Sequence, residues 1–174
     1  PSVLDKSVSV TAARMAGIGG DLRAEVRVAH AVEPLADALR GAEGDILLII
    51  GASAITDRRD VIPAAIMAAG GKVLHVGMPV DPGNLLVLGH IGDVPIIGAP
   101  GCARSPKDNG FDWVMNRILA GLCPSADEMA GWGVGGLLME IPSRPLPRIA
   151  ATAGTSAARA DLGIVVLAAG RASR

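Results

Sequence analysis

The sequence predicts an α/β fold: a three-layer αβα sandwich with a mostly parallel sheet and one β-hairpin. Segments with strand character alternate with segments of helical spacing, which is the pattern of this class. The run Ile46–Ile50 is apolar throughout, as is typical of a strand that is covered on both faces. Half of the 174 residues are apolar and only 2% are aromatic, so the core must consist of Val, Ile, Leu, Ala and Met.

The first half of the chain is predicted to alternate helices and strands. Helical spacing and glycine stops define the helices, and apolar alternation or apolar runs define the strands. The predicted elements are a helix over 7–16, a strand over 24–30, a helix over 33–41, a strand over 45–50, a helix from Asp60 to 70–71, and a strand over 72–78.

The middle of the chain predicts a hairpin followed by a helix. Strands over 85–91 and 94–99 flank Gly92-Asp93, a turn signal. The next helix, over 111–122, has one apolar face. Beyond it, glycines and prolines favour extended structure over helix. The face of the helix comprises Phe111, Val114, Met115, Ile118 and Leu122.

Three parts of the chain are expected to differ in role. Residues 1–148 are predicted to be one domain, whose first strand we expect to lie before Pro1. Residues 149–161 are rich in Ala, Thr, Ser and Gly and are predicted to be a linker. Residues 162–174, an apolar strand and a loop, are predicted to be the truncated start of a second domain.

Composition also restricts the partners and the compartment. A net charge of −1 argues against a nucleic-acid surface, which normally needs a basic patch. No apolar run approaches the roughly 20 residues that a membrane helix requires. Two cysteines make no disulfide framework, so we expect a cytoplasmic protein. The three histidines, His30, His75 and His90, lack the spacing of zinc ligands.

The first candidate site follows the strand that ends at Ile50. Open α/β sheets bind ligands where a strand runs through a loop into a helix. In this loop Gly51 allows a ligand to approach the main chain closely. The N-terminus of the helix that follows suits a phosphate. Asp57 and Asp60 could hold a metal or orient a phosphate, with Arg58 or Arg59 balancing the charge. The alternative is that Asp60 only caps the helix and the other charges are solvated. The small residues of this loop are Gly51, Ala52, Ser53 and Ala54.

The second candidate site follows the strand that ends at Ala99. Its loop offers backbone N–H groups and a guanidinium to an anion, although a plain turn is an equal alternative. Two loops at one sheet edge would form two walls of a pocket. The turn that contains Pro82 and Gly83 faces the ligand or is only a turn. The residues of the second loop are Pro100, Gly101, Cys102, Ala103, Arg104 and Ser105.

Together these motifs resemble the molybdopterin-binding domains of molybdenum cofactor biosynthesis. GASAITDRRDVIP resembles their Gly-Gly-Thr-type loop, which precedes an aspartate and a Pro-containing helix. MPVDPGNLLVLGHIGDVPIIGAPGCARS resembles their two Pro-Gly loops separated by a hairpin. The tail LAAGRASR resembles the opening of the molybdenum-cofactor cytidylyltransferase domain. Gly-Ala-Ser replaces Gly-Gly-Thr, and Cys102-Ala103-Arg104 stands where Asn-Pro is usual.

The resemblance implies a domain that binds molybdopterin or the molybdenum cofactor and belongs to a fused nucleotidyltransferase. Residues 51–54 and Asp57 would contact the pterin and its phosphate, and Asp60 would match the functional aspartate. Pro82-Gly83 and residues 100–105 would form the opposite wall. Mg²⁺ would accompany a nucleotide. The expected partners are the pterin, further copies of the chain and molybdoenzyme acceptors, with neither nucleic acid nor a membrane.

Two other functions remain open at this point. The domain itself could transfer an adenylyl group or insert metal, with Asp60 and Mg²⁺ acting on the phosphates. The substituted loop residues also fit a degenerate, non-catalytic domain that serves oligomerisation or regulation.

Overall fold

The computed structural model describes residues 3–133 and, as backbone, 163–170. The described part consists of helices packed around one sheet, with a short 3₁₀ turn at Gly101–Arg104. The helices are α1 (Val3–Gly17), α2 (Val32–Arg40), α3 (Val61–Ala68), α4 (Gly110–Leu119) and α5 (Ala126–Ala130). The strands are β1 (Asp21–Ala29), β2 (Ile46–Ile50), β3 (Lys72–Val76), β4 (Val87–Ile91), β5 (Val94–Ala99) and β6 (Gly163–Gly170).

The six strands form a mixed sheet in the order β1-β6-β2-β5-β4-β3. The pairs β1/β6, β6/β2 and β2/β5 are parallel. The pairs β5/β4 and β4/β3 are antiparallel, and Ile91 pairs with Val94 at the closed end of the predicted hairpin. The α/β class and the hairpin are therefore confirmed.

Strand β2 divides the core into two layers, because successive side chains of a strand point to opposite faces. Its odd and even positions belong to different apolar clusters, which explains why all five residues are apolar and buried. One cluster joins Ile46, Leu48 and Ile50 to Met15 of α1 and to Phe111 and Met115 of α4. The other joins Leu47 and Ile49 to Leu35 of α2 and to Ile62 and Ile66 of α3. These two clusters confirm the three-layer sandwich.

Strand β6, an apolar strand in the sequence prediction, belongs to the same sheet as β1–β5. Residues 162–174 were expected to begin a second domain, but residues 163–170 lie between β1 and β2 in the same sheet. Leu47 pairs with Val165, and Glu25 pairs with Val166, so both edges of β6 have parallel partners. An apolar strand gains hydrogen bonds on both edges in this position. The linker over 149–161 lies outside the described residues, and the domain division stays a prediction.

Two further differences concern the region after the hairpin. Helix α4 ends at Leu119 and not at residue 122, so Leu122 is 64% exposed and is not part of the apolar face. Gly121 has a φ of +76°, which favours glycine and stops the helix. The short helix α5 was not predicted; Oγ of Ser125 accepts a hydrogen bond from the N–H of Glu128 and begins it.

Among the helices of the described residues, none combines the length and the apolar character that crossing a bilayer would require.

Candidate ligand-binding site

The two predicted loops leave the sheet at the same edge. Ile50 pairs with Ala99 in the parallel ladder of β2 and β5, so the first loop (residues 51–60) and the second loop (residues 100–109) begin side by side. Nη2 of Arg104 donates a hydrogen bond to the carbonyl oxygen of Gly51 at 2.6 Å and joins the two loops. The shared edge agrees with the sequence prediction.

The two loops touch each other where Arg104 meets Gly51, and a pocket between them stays a prediction. The space between α1 and the second loop has no room for a water molecule; its lining includes Thr11, Ala99 and Arg104. The exposed parts of the first loop are residues 52–54 and 56–59. These exposed residues are the part of the first loop that a ligand at this edge could contact.

Asp60 occupies the N-cap position of α3, but its side chain does not cap the helix. Its Oδ2 atom turns back and accepts hydrogen bonds from the backbone N–H groups of Thr56 at 2.7 Å and Asp57 at 2.9 Å. These N–H groups favour the charged carboxylate and lower the pKa of Asp60. The alternative that Asp60 merely caps the helix is wrong. The carboxylate orders the first loop and leaves the start of α3 without a side-chain cap.

Asp57 and Arg59 largely satisfy each other at the loop surface. Oδ1 of Asp57 accepts from the backbone N–H of Arg59 at 2.8 Å and from its Nε at 3.0 Å. The side-chain hydrogen bond from Arg59 is the main reason that the pKa of Asp57 is lowered. Among the described residues, no cluster of three His, Cys, Asp or Glu side chains could hold a metal ion.

Gly51 packs closely against side chains of the protein, and its predicted role of admitting a ligand to the main chain stays a prediction. A Cβ atom at this position would lie 2.8 Å from Cδ1 of Ile62 and 3.4 Å from Cε1 of His30. Gly51 is also buried. A side chain at position 51 would therefore meet Ile62 of α3, whose terminal methyl group can move, and the ring of His30.

His30 is a site residue that the sequence interpretation missed. Its Nε2 atom lies 2.9 Å from Oγ of Ser53 in the first loop. Burial is the main cause that lowers the pKa of His30, and the nearby charge of Asp60 opposes it. The absence of zinc-ligand spacing around His30 does not bear on this contact. Its position as the last residue of the predicted strand 24–30 placed it at the edge where the ligand was expected.

The second loop is held from beneath by Arg14 on α1. The Arg14 guanidinium donates hydrogen bonds to the carbonyl oxygens of Ala103, Ser105 and Lys107. Its Nε lies 2.7 Å from Oδ1 of Asp112 on α4. Pro100 and Ala103 are buried, whereas Gly101 is exposed and Ser105 is half-buried. The planar guanidinium of arginine has five N–H donors, which suits this set of contacts. No local sequence pattern reveals these contacts.

Cys102 lies in the 3₁₀ turn and is half-buried. Burial raises the pKa of its thiol, so the thiol is not activated for nucleophilic attack.

Pro82 and Gly83 pack against the start of α4. The carbonyl oxygen of Pro82 accepts a hydrogen bond from the N–H of Gly110 at 2.8 Å. Asn109 and Asp112 complete a capping box on the same helix, with distances of 2.9 Å and 2.8 Å to Phe111 N and Asn109 N. These contacts occupy the first donors of α4. The Pro82 turn is thus tied to the helix, and its predicted contact with a ligand stays a prediction.

Comparison of the chain with protein-family models, with curated proteins and with solved structures finds no match. The resemblance to molybdopterin-binding domains therefore rests on the motifs and on their order along the chain alone.

Proposed function

We propose that this chain binds molybdopterin, or its molybdenum form, at the sheet edge that carries the first loop. The observation that carries the proposal is the conformation of Asp60. Its carboxylate orders the loop through Thr56 and Asp57 and leaves the N-terminus of α3 without a side-chain cap. An uncapped helix N-terminus beside an ordered loop favours an anionic group such as the ligand's phosphate.

The groups around the first loop fit a phosphate-bearing ligand. Ser53 is exposed and carries a hydroxyl, and Arg104 places a guanidinium next to the carbonyl of Gly51. Nε of Arg104 is buried and has no hydrogen-bond partner within the described ranges. Oδ1 of Asp60 likewise accepts no hydrogen bond from the described residues and can take an N–H donor of a pterin ring.

The wider role follows from the same resemblance. The domain would present its ligand to an attached nucleotidyltransferase unit, of which the tail LAAGRASR would be the beginning. A cytoplasmic location, assembly into a homo-oligomer and delivery to molybdoenzymes belong to this proposal.

A binding titration with purified chain and molybdopterin, performed without oxygen, tests the proposal. We expect saturable binding by the parent chain and at least tenfold weaker binding by Asp60→Ala. Asp93→Asn is the matched control, because Asp93 is an exposed aspartate in the hairpin turn at the opposite edge of the sheet. It should bind within twofold of the parent. Absence of binding by the folded parent chain would contradict the proposed function.

The uncommitted Oδ1 of Asp60 also favours a second candidate, adenylyl transfer, since a carboxylate oxygen can hold Mg²⁺ on a nucleotide. In that reaction a phosphate oxygen of molybdopterin would bond to the α-phosphorus of ATP, and pyrophosphate would leave. Incubation with molybdopterin, ATP and Mg²⁺ should then give adenylylated molybdopterin and pyrophosphate in equal amounts. Binding without product would leave the binding role alone.

A further inference from the structure

One histidine–serine contact remains outside the proposed binding role. His30 follows β1 directly, and its Nε2 lies 2.9 Å from Oγ of Ser53. Because β6 separates β1 from β2 in the sheet, the contact joins the ends of two strands that are not neighbours. Within the part of the chain that the structure describes, the Ser53 hydroxyl has no other hydrogen-bond partner.

The direction of this hydrogen bond depends on which ring nitrogen of His30 carries the proton. A neutral imidazole has one N–H donor and one bare acceptor nitrogen. If Nε2 carries the proton, it donates to Oγ of Ser53, and Nδ1 is the bare acceptor. If Nδ1 carries the proton, Ser53 donates to Nε2, and an N–H group is left at Nδ1.

The surroundings of Nδ1 decide between these two forms. Nδ1 is buried and has no hydrogen-bond partner in the described part of the chain. A buried N–H group without an acceptor is rarer in proteins than an unsatisfied acceptor. The imidazolium form would leave the same N–H unpaired and would add a charge. The burial that lowers the pKa of His30 disfavours this charged form. The neutral form with the proton on Nε2 is therefore favoured.

We infer that His30 is a positioning residue whose Nε2–H donates to Oγ of Ser53 and leaves the Ser53 proton free to bind an oxyanion at the first loop. The inference rests on the proposed function, in which the phosphate of the ligand is that oxyanion. It also excludes His30 as the base for a Ser53 nucleophile, since a hydroxyl that accepts from Nε2 cannot pass its proton to the same nitrogen.

Nitrogen NMR of the folded chain without ligand tests the tautomer directly. Long-range ¹H–¹⁵N spectra distinguish a protonated ring nitrogen from a bare one, and His30→Gln assigns the signals among the three histidines. We expect Nε2 of His30 to be protonated and Nδ1 to be bare at neutral pH. A protonated Nδ1 with a bare Nε2 would overturn the inference whatever the chain binds.

Binding of inorganic phosphate, ATP and molybdopterin to four variants and one control variant tests whether His30 helps Ser53 to bind an oxyanion. The amide N–H of Gln can replace Nε2–H, so His30→Gln should bind within threefold of the parent. His30→Leu and Ser53→Ala should each bind about tenfold more weakly. The double variant should be no weaker than Ser53→Ala alone, because both changes remove the same interaction with the anion. His90→Leu is the control, since it removes a histidine that contacts Gly92 at the opposite edge.

These outcomes separate the inference from the proposed function. Binding of phosphate or ATP without binding of molybdopterin would contradict the proposed ligand and leave the role of His30 standing. Equal affinity of folded His30→Leu and the parent for every anion tested would overturn the role of His30. Absence of saturable phosphate, ATP and molybdopterin binding by the parent would overturn the oxyanion role of Ser53.

Discussion

Arg14 and Asp112 form an ion pair beneath the second loop, with 2.7 Å between Nε and Oδ1, and their side chains are only 10% and 12% exposed. The pair fixes α1, α4 and the second loop to one another, because the same guanidinium binds the carbonyl oxygens of that loop. Burial raises the pKa of Asp112 although Arg14 lowers it, so the carboxylate depends on its partner.

Removal of Arg14 should destabilise the fold strongly. Arg14→Met keeps most of the side-chain volume but removes the guanidinium donor from the loop carbonyls and from Oδ1 of Asp112, which then keeps only its Oδ2 contact with the N–H of Asn109. We expect a loss of about 3 kcal/mol in the free energy of unfolding, measured by urea denaturation. Arg40→Met is the control, because the Arg40–Asp37 pair is largely exposed, and it should cost less than about 1 kcal/mol. Equal losses in the two variants would contradict a structural role of the buried pair.

Two glycines of the predicted second wall should respond differently to alanine. A Cβ at Gly83 would lie 2.6 Å from the backbone nitrogen of Gly110, and Gly83 has a φ of +123°. Overlap with backbone and strain together should cost Gly83→Ala about 3 kcal/mol of stability. Gly101 has no atom within 4 Å of its added Cβ, so Gly101→Ala should change stability by less than about 0.5 kcal/mol. Thermal and urea unfolding of both variants measure the difference.

The first loop should lose its order in acid, because the pKa of Asp60 is lowered below its ordinary 3.8 by the N–H groups of Thr56 and Asp57. A lowered pKa in the folded state means that the ionised carboxylate stabilises the loop above pH 3.8. That contribution is lost as the pH falls through the lowered pKa. The amide signals of Thr56 and Asp57 should titrate together with a midpoint below 3.8. In Asp60→Asn this shared titration should be absent, and its persistence would assign it to another group.

The sequence determined the local elements well because periodicity is a local property. The apolar run of β2 and the turn at Gly92-Asp93 predicted a covered strand and a hairpin, and both are present. The shared edge of the two loops followed from the order of strands and loops along the chain. The contact of Asp60 with Thr56 lies within one loop, yet the choice between capping α3 and ordering that loop depends on backbone geometry that composition does not specify.

Contacts between distant parts of the chain were not predictable in the same way. His30 reaches Ser53 across the end of β6, and Arg14 reaches the second loop from a helix near the start of the chain. Neither residue type is unusual for its local segment. The position of β6 is defined by its pairing with β1 and β2, whose residues are distant from it in the sequence.

Two helices begin near the candidate site, and they differ in how their N-termini are capped. The start of α4 is closed by Asn109, Asp112 and the carbonyl of Pro82, whereas the start of α3 has no side-chain cap. An elongated molecule with a negative group at one end would thus be oriented with that end toward α3. Its other end would extend along the edge toward the second loop. The difference in capping would thus determine which end of a ligand binds at α3, independently of contacts with its ring system.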